Sequence, residues 1–138
     1  MSGQVRVDWK GKMKFEVTPE SGHHFTLDSG EESDGPSPVE ALLASAAACS
    51  AMDVIMILEK KRQKVTSYHV EVVGERVTTG DYPHPFTHLT IKHVVTGEKL
   101  DTAAVEHAVR LSDEKYCTII ATLRACPKVE SEFTVSEG

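Results

Sequence analysis

Apolar and polar residues alternate from the start of the chain. Val5, Val7 and Trp9 share one phase, and Met13, Phe15 and Val17 another, with Lys10-Gly11-Lys12 between them. A period of two broken by a glycine turn predicts a β-hairpin. Phe25 and Leu27 mark a short third strand after the break at 19–22. Residues 28–35 are acidic and rich in turn formers, which reads as a solvated loop. The period then changes. Ser37, Pro38 and Glu40 form a Ser-x-x-Glu capping box with proline at the first helical position. No charge occurs between Ala41 and Met52, and the helix is expected to end in Glu59-Lys60-Lys61-Arg62, where cations suit the negative end of its dipole. A helix apolar on every side is expected to be buried on every side.

Alternation returns at Tyr68, Val70, Val72 and Gly74, and again at Leu89, Ile91, His93 and Val95, with a turn-rich break at 80–85. Asp101 can cap a helix running to Leu111, with Ala104, Ala108 and Leu111 on one face. Residues 115–124 predict a further short helix ended by Pro127, and Val129, Phe133 and Val135 a final strand. The order βββ–α–ββ–αα–β is an α+β pattern. One sheet covers only one side of the long apolar helix, so a second copy across a two-fold axis is the natural cover for the other. Burial under the later helices is the alternative.

Composition narrows the function. The 138 residues are one domain's worth, 1–138, and need no staples to fold. With 21 acidic against 15 basic residues the formal charge is -6, which argues against a nucleic-acid partner. The first residues lack the basic and apolar regions of a signal peptide, and the apolar run 41–58 is interrupted by Ser45, Ser50 and Asp53. A buried helix in a cytoplasmic protein, with no membrane association, is expected. Thiols there stay reduced unless redox chemistry is their task.

The chemistry rests on three cysteines. Cys49 sits inside the apolar helix, where a free cysteine is ordinarily a small core filler. Cys117 lies near the start of a short helix beside Glu114, Lys115 and Tyr116, so its thiol is expected to be the more acidic. Cys126, before Pro127, reads as core filler or bystander. The seven histidines suggest no metal set: Pro83 and Pro85 deny His84 and His88 a helix, and His23 and His24 point to opposite faces of a strand. No nucleophile elbow or phosphate-cradling glycine loop is present.

Gly35-Pro36-Ser37-Pro38-Val39-Glu40-Ala41-Leu42-Leu43-Ala44, followed by Ala47-Ala48-Cys49-Ser50-Ala51-Met52-Asp53-Val54, resembles the central-helix motif of the OsmC/Ohr family. Leu111-Ser112-Asp113-Glu114-Lys115-Tyr116-Cys117 resembles its second-cysteine motif. Phe86-Thr87-His88, Val95-Thr96-Gly97, Arg6-Val7-Asp8-Trp9 and Ser21-Gly22-His23 are most similar to the YhfA-like branch. The resemblance implies an OsmC-like fold with a long central helix packed with antiparallel sheets in an intertwined homodimer. It implies a thiol-dependent peroxidase reducing organic hydroperoxides, with Cys49 peroxidatic, Cys117 resolving and Glu40 holding the site's arginine. An external dithiol would restore the thiols, with no metal and no cofactor. The alternative is a non-catalytic or small-molecule-binding stress-response protein of the same fold. The turn that would carry the arginine reads Trp9-Lys10-Gly11-Lys12, leaving Lys10, Lys12 or His23 as the cation. Asp53 falls four residues after Cys49 on the same helical face, where an unpaired carboxylate raises a thiol pKa.

Overall fold

The computed structural model describes residues 3–136. The expected α+β order appears as β1 (Val5–Trp9), β2 (Lys14–Pro19), β3 (Phe25–Asp28), α1 (Pro38–Lys60), β4 (Lys64–Arg76), β5 (Phe86–Glu98), α2 (Thr102–Leu111), a π-helical turn (Ser112–Tyr116) and α3 (Thr118–Ala125). Strands β4 and β5 run well past the expected 68–74 and 89–95. Thr66 Oγ1 donates to Thr96 O at 3.2 Å and Thr87 Oγ1 to Glu75 O at 3.3 Å, so one strand ascends as its partner descends. The chain forms two compact units, Met1–Ala48 with Val70–Lys92 and Cys49–His69 with His93–Gly138.

In the first unit β1, β2 and β3 form an antiparallel sheet with Val7 opposite Val17 and Phe15 opposite Leu27. Gly11 (φ 99°) and Lys12 (φ 48°) make the first turn, closed by Lys14 N–H to Gly11 O at 3.0 Å. Val17 is buried, while Val5, Val7, Trp9 and Phe25 are exposed. The acidic loop is more ordered than its composition suggests. Asp28 is buried and accepts from Gly30 N–H (2.9 Å) and Asp34 N–H (3.2 Å), and these bonds hold its pKa below the usual carboxylate range. The capping box forms as expected: Ser37 N–H donates to Glu40 Oε1 at 3.0 Å and Glu40 N–H to Ser37 Oγ at 3.1 Å. Gly74 on β4 leaves the space that the Phe86 ring and Leu43 fill.

In the second unit Val54, Ile57, Leu58 and Ala108 form the core, with Val65, Tyr68, Val95, Val105, Val109 and Leu111 packed around it. Helix α1 stops in a left-handed cap at Arg62 (φ 56°), with Arg62 N–H to Glu59 O at 2.9 Å and Gln63 N–H to Leu58 O at 3.0 Å. Asp101 caps α2 through Ala103 N–H at 3.0 Å.

Two expectations fail within the single chain. Helix α1 buries one face, Ala46, Ser50, Val54, Ile57 and Leu58, while Leu42, Met52 and Met56 are exposed, Met52 at 69%. Nothing among the described residues covers that second face. The final strand is also absent among the described residues: 126–136 carry no regular element, with Val129, Phe133 and Val135 at 85%, 89% and 86% exposure. Their alternation has no partner edge, and a strand needs one to satisfy its backbone.

Candidate active site

The candidate chemistry gathers where α1 meets the turn before α3. Cys49 is half-buried on α1, and Cys117 is 3% exposed. The sequence places Cys117 through an unusual turn. Instead of continuing α2, residues Ser112–Tyr116 wind as a π-helix, and Cys117 N–H closes it by donating to Ser112 O at 2.9 Å. Cys117 then adopts extended backbone (φ -73°, ψ 106°) and caps α3, its sulfur accepting from Ile120 N–H at 3.5 Å. α3 therefore begins at Thr118, three residues after the expected Lys115.

The Cys117 thiol interacts with that of Cys49. Burial pushes the Cys117 pKa up, the Ile120 N–H opposes it, and the thiol–thiol interaction with Cys49 pushes it further up. The expectation that Cys117 would be an acidified thiol is therefore overturned: it occupies the helix N-terminus as foreseen, but desolvation outweighs the helix end. Cys126 is exposed and sits in the left-handed region (φ 49°) as the C-cap of α3, so it is no core filler.

The other named residues are placed as follows. Glu40 is exposed in the capping box. Arg6 pairs with Asp8 at 3.0 Å, and His23 Nδ1 lies 3.1 Å from Ser21 Oγ. Lys10 and Lys12 border an open hollow of about 600 Å³ that also meets Asp28, Glu31 and Asp34. Arg124 is committed to Asp113, at 3.0 and 3.1 Å from its carboxylate oxygens and 2.9 Å from its carbonyl. Among the described residues no group of three His, Cys, Asp or Glu could hold a metal ion.

Asp53 is not the unpaired carboxylate that its spacing threatened. Its Oδ2 accepts from Ser112 Oγ at 3.0 Å. Ser112, fully buried, is also 3.1 Å from Ser50 Oγ. Ser50 Oγ lies 3.3 Å from His93 Nε2, and His93 Nδ1 lies 2.7 Å from Tyr68 O–H. A chain of hydrogen bonds thus runs Tyr68–His93–Ser50–Ser112–Asp53 beside the thiols. Burial pushes Tyr68 up to about 12 and His93 down, the latter opposed by Asp113. The sequence reading missed this set. Tyr68 and His93 counted only as strand alternation, and Ser112 only as part of a motif. The available signal was Ser50 and Asp53, two polar residues three apart in an otherwise apolar stretch, since buried polar groups need partners.

Comparison with known proteins gives this arrangement a context. A sequence model described as OsmC-like protein matches residues 30–132. Protein YhfA of Escherichia coli (strain K12) is 38% identical over 132 residues, covering 96% of this chain and 97% of that protein. The structure of a hypothetical protein from Aquifex aeolicus VF5 superposes with a TM-score of 0.78 at 32% identity, covering 91% of this chain and 89% of the other. That of an organic hydroperoxide resistance protein OsmC from Legionella pneumophila superposes at 0.64 with 15% identity and 90% coverage of each, a likeness of fold. With its long apolar helix, antiparallel sheets and these relatives, the chain belongs to the OsmC-like protein family.

Proposed function

We propose that the chain is a thiol-dependent peroxidase that reduces organic hydroperoxides through Cys49 and Cys117. It would work as a cytoplasmic homodimer of a single OsmC-like domain, residues 1–138, with no metal and no cofactor. The observation that carries this reading is the interacting pair of thiols, one of them buried. Solved relatives of this fold named for hydroperoxide resistance lend it support.

The steps balance without further groups. Cys49 thiolate attacks the distal oxygen of the hydroperoxide, the O–O bond breaks, and the alkoxide takes a proton and leaves as an alcohol. Cys49 is then a sulfenic acid. Cys117 sulfur attacks it, an S–S bond forms, the thiol proton joins the departing hydroxide, and water leaves. An external dithiol reduces the disulfide by two exchanges and is itself oxidised. The raised pKa of Cys117 suits this order. A protonated Cys117 can donate its S–H toward the Cys49 sulfur before the peroxide arrives, and its burial shields it from oxidants in bulk water.

Glu40 would bind the cation that supports the thiolate. It precedes Cys49 by nine residues, about half a turn around the helix, so it acts through a bridging cation or across the dimer. A second copy would cover Leu42, Met52 and Met56, three apolar side chains that one chain leaves exposed. α1 is long and apolar enough to cross a membrane, but the hydrogen-bonded Ser50 and Asp53 halfway along it favour a protein interior.

The test is thiol counting. The reduced protein, given cumene hydroperoxide or hydrogen peroxide, is expected to lose two thiols rapidly, fastest with the organic peroxide, and Cys49→Ser to be inert. Loss no faster than for free cysteine would leave the second reading, a non-catalytic or small-molecule-binding stress-response protein. The absence of arginine from Trp9-Lys10-Gly11-Lys12 favours that reading.

A further inference from the structure

The hydrogen-bond chain beside the thiols can be run in one direction from end to end. The Ser112 hydroxyl donates to Asp53 Oδ2 at 3.0 Å, with Ser50 O a second acceptor at 3.3 Å, and with its proton so used it accepts from Ser50 Oγ. Ser50 has then spent its one proton and accepts from His93 Nε2–H. That leaves His93 Nδ1 to accept from the Tyr68 hydroxyl at 2.7 Å. In this direction every hydroxyl and ring nitrogen of the chain has a partner. Ser112 is the member that joins two elements: its side chain lies among Ser50 and Asp53 of α1, and its carbonyl takes the N–H of Cys117 at 2.9 Å. Ser50 is the residue after Cys49.

We propose that Ser112 is a positioning residue for the thiol pair: its hydroxyl, clamped by Ser50 and Asp53, fixes the turn that delivers Cys117 against the helix that carries Cys49. The same bond gives the Asp53 carboxylate a partner. Ser112 touches neither substrate nor sulfur. Its effect is on how often the two sulfurs stand within bonding distance, which is an effective concentration. The proposal rests on the two-thiol reading above, and the experiment separates the two.

The measurement is the redox equilibrium with glutathione, in a background carrying Cys126→Ser to prevent mispairing. Protein dithiol and glutathione disulfide give protein disulfide and two glutathione thiols, so two electrons pass from the protein to glutathione and two protons follow. The unaltered site is expected to form the Cys49–Cys117 disulfide. Ser112→Ala is expected to lower the equilibrium constant about tenfold, the worth of one hydrogen bond to a charged group. Asp53→Asn keeps an acceptor oxygen and is expected to lower it less, because a neutral acceptor holds a hydroxyl about half as strongly; it carries the comparison should Ser112→Ala not fold. Tyr68→Phe cuts the far end of the chain, leaves the Ser112–Asp53 bond and is expected to change nothing. An unaltered site that forms no disulfide overturns the two-thiol reading and this proposal with it. A normal disulfide with an unchanged constant in both Ser112→Ala and Asp53→Asn overturns the positioning role alone. So does a Tyr68→Phe protein as impaired as Ser112→Ala, since that would mark a general loosening of the core.

Discussion

Helix α3 begins and ends on a cysteine. At its start Cys117 has extended backbone, is 3% exposed, holds the Ile120 N–H on its sulfur and interacts with Cys49. At its end Cys126 is exposed in the left-handed region, its thiol 4.0 Å from Leu123 O. One sulfur is dry and has a partner; the other is wet. The difference teaches that neither residue type nor nearness to a helix end decides what a thiol does. The Cys117 sulfur sits at the favourable end of the dipole, yet removal of water raises its pKa. It is suited to react with a neighbour already in place, whereas Cys126 meets whatever is dissolved.

The largest test of that contrast is to remove each sulfur in turn. Cys117→Ser is expected to abolish peroxide turnover supported by a dithiol, with Cys49 trapped as a sulfenic acid that dimedone labels. Cys126→Ser should keep turnover at the unaltered rate. Equal loss in both would erase the distinction between the two ends. The next effect is on stability. Ile120 is 7% exposed and packs behind the Cys117 cap, so Ile120→Ala is expected to cost about 2–5 kcal/mol in urea unfolding. Leu123, near the other end, is 38% exposed, and Leu123→Ala should cost roughly 1 kcal/mol or less.

A smaller effect is kinetic. Alkylation by iodoacetamide, followed by peptide mass spectrometry, is expected to label Cys126 well before Cys117. The sign follows from the raised pKa: at any pH below it Cys117 holds less thiolate than an ordinary cysteine, so its labelling should climb at higher pH than that of free cysteine. Coincident pH profiles would break the comparison. The smallest effect is local strain. Cys126→Gly relieves a side chain held at φ 49° and is expected to raise stability by about 0.5–1 kcal/mol, read as a higher urea midpoint.

The parts that sequence made legible are those encoded by neighbours. The β1–β2 hairpin, the Ser37–Glu40 box and the Asp101 cap each depend on residues within a few positions, and each forms as spaced. The strand expected around Val129 and Phe133 depends on an edge elsewhere, which alternation cannot supply. The helix start at Thr118 was misplaced because a π turn leaves no mark in apolar periodicity. The Cys117 pKa was misjudged because helix position is visible in a sequence and burial is not. The acidic loop is largely exposed as its composition suggests, but composition cannot reveal that Asp28 at its start turns inward to hold two backbone N–H groups. In the candidate site, Cys49 and Cys117 were singled out through motif. Tyr68 and His93 were not, because 25 positions separate two residues that meet only once β4 and β5 are in place.

The π turn also makes segment length a constraint. Side chains 113–116 are all exposed, so apart from Asp113, which holds Arg124, their identities are comparatively free. Their number is not. Deleting one would let the backbone relax into an ordinary α-helical turn and swing whatever follows by about 100° around the helix axis. Mutational drift can therefore rewrite the letters between Ser112 and Cys117, but an insertion or deletion there would point the second sulfur away from the first.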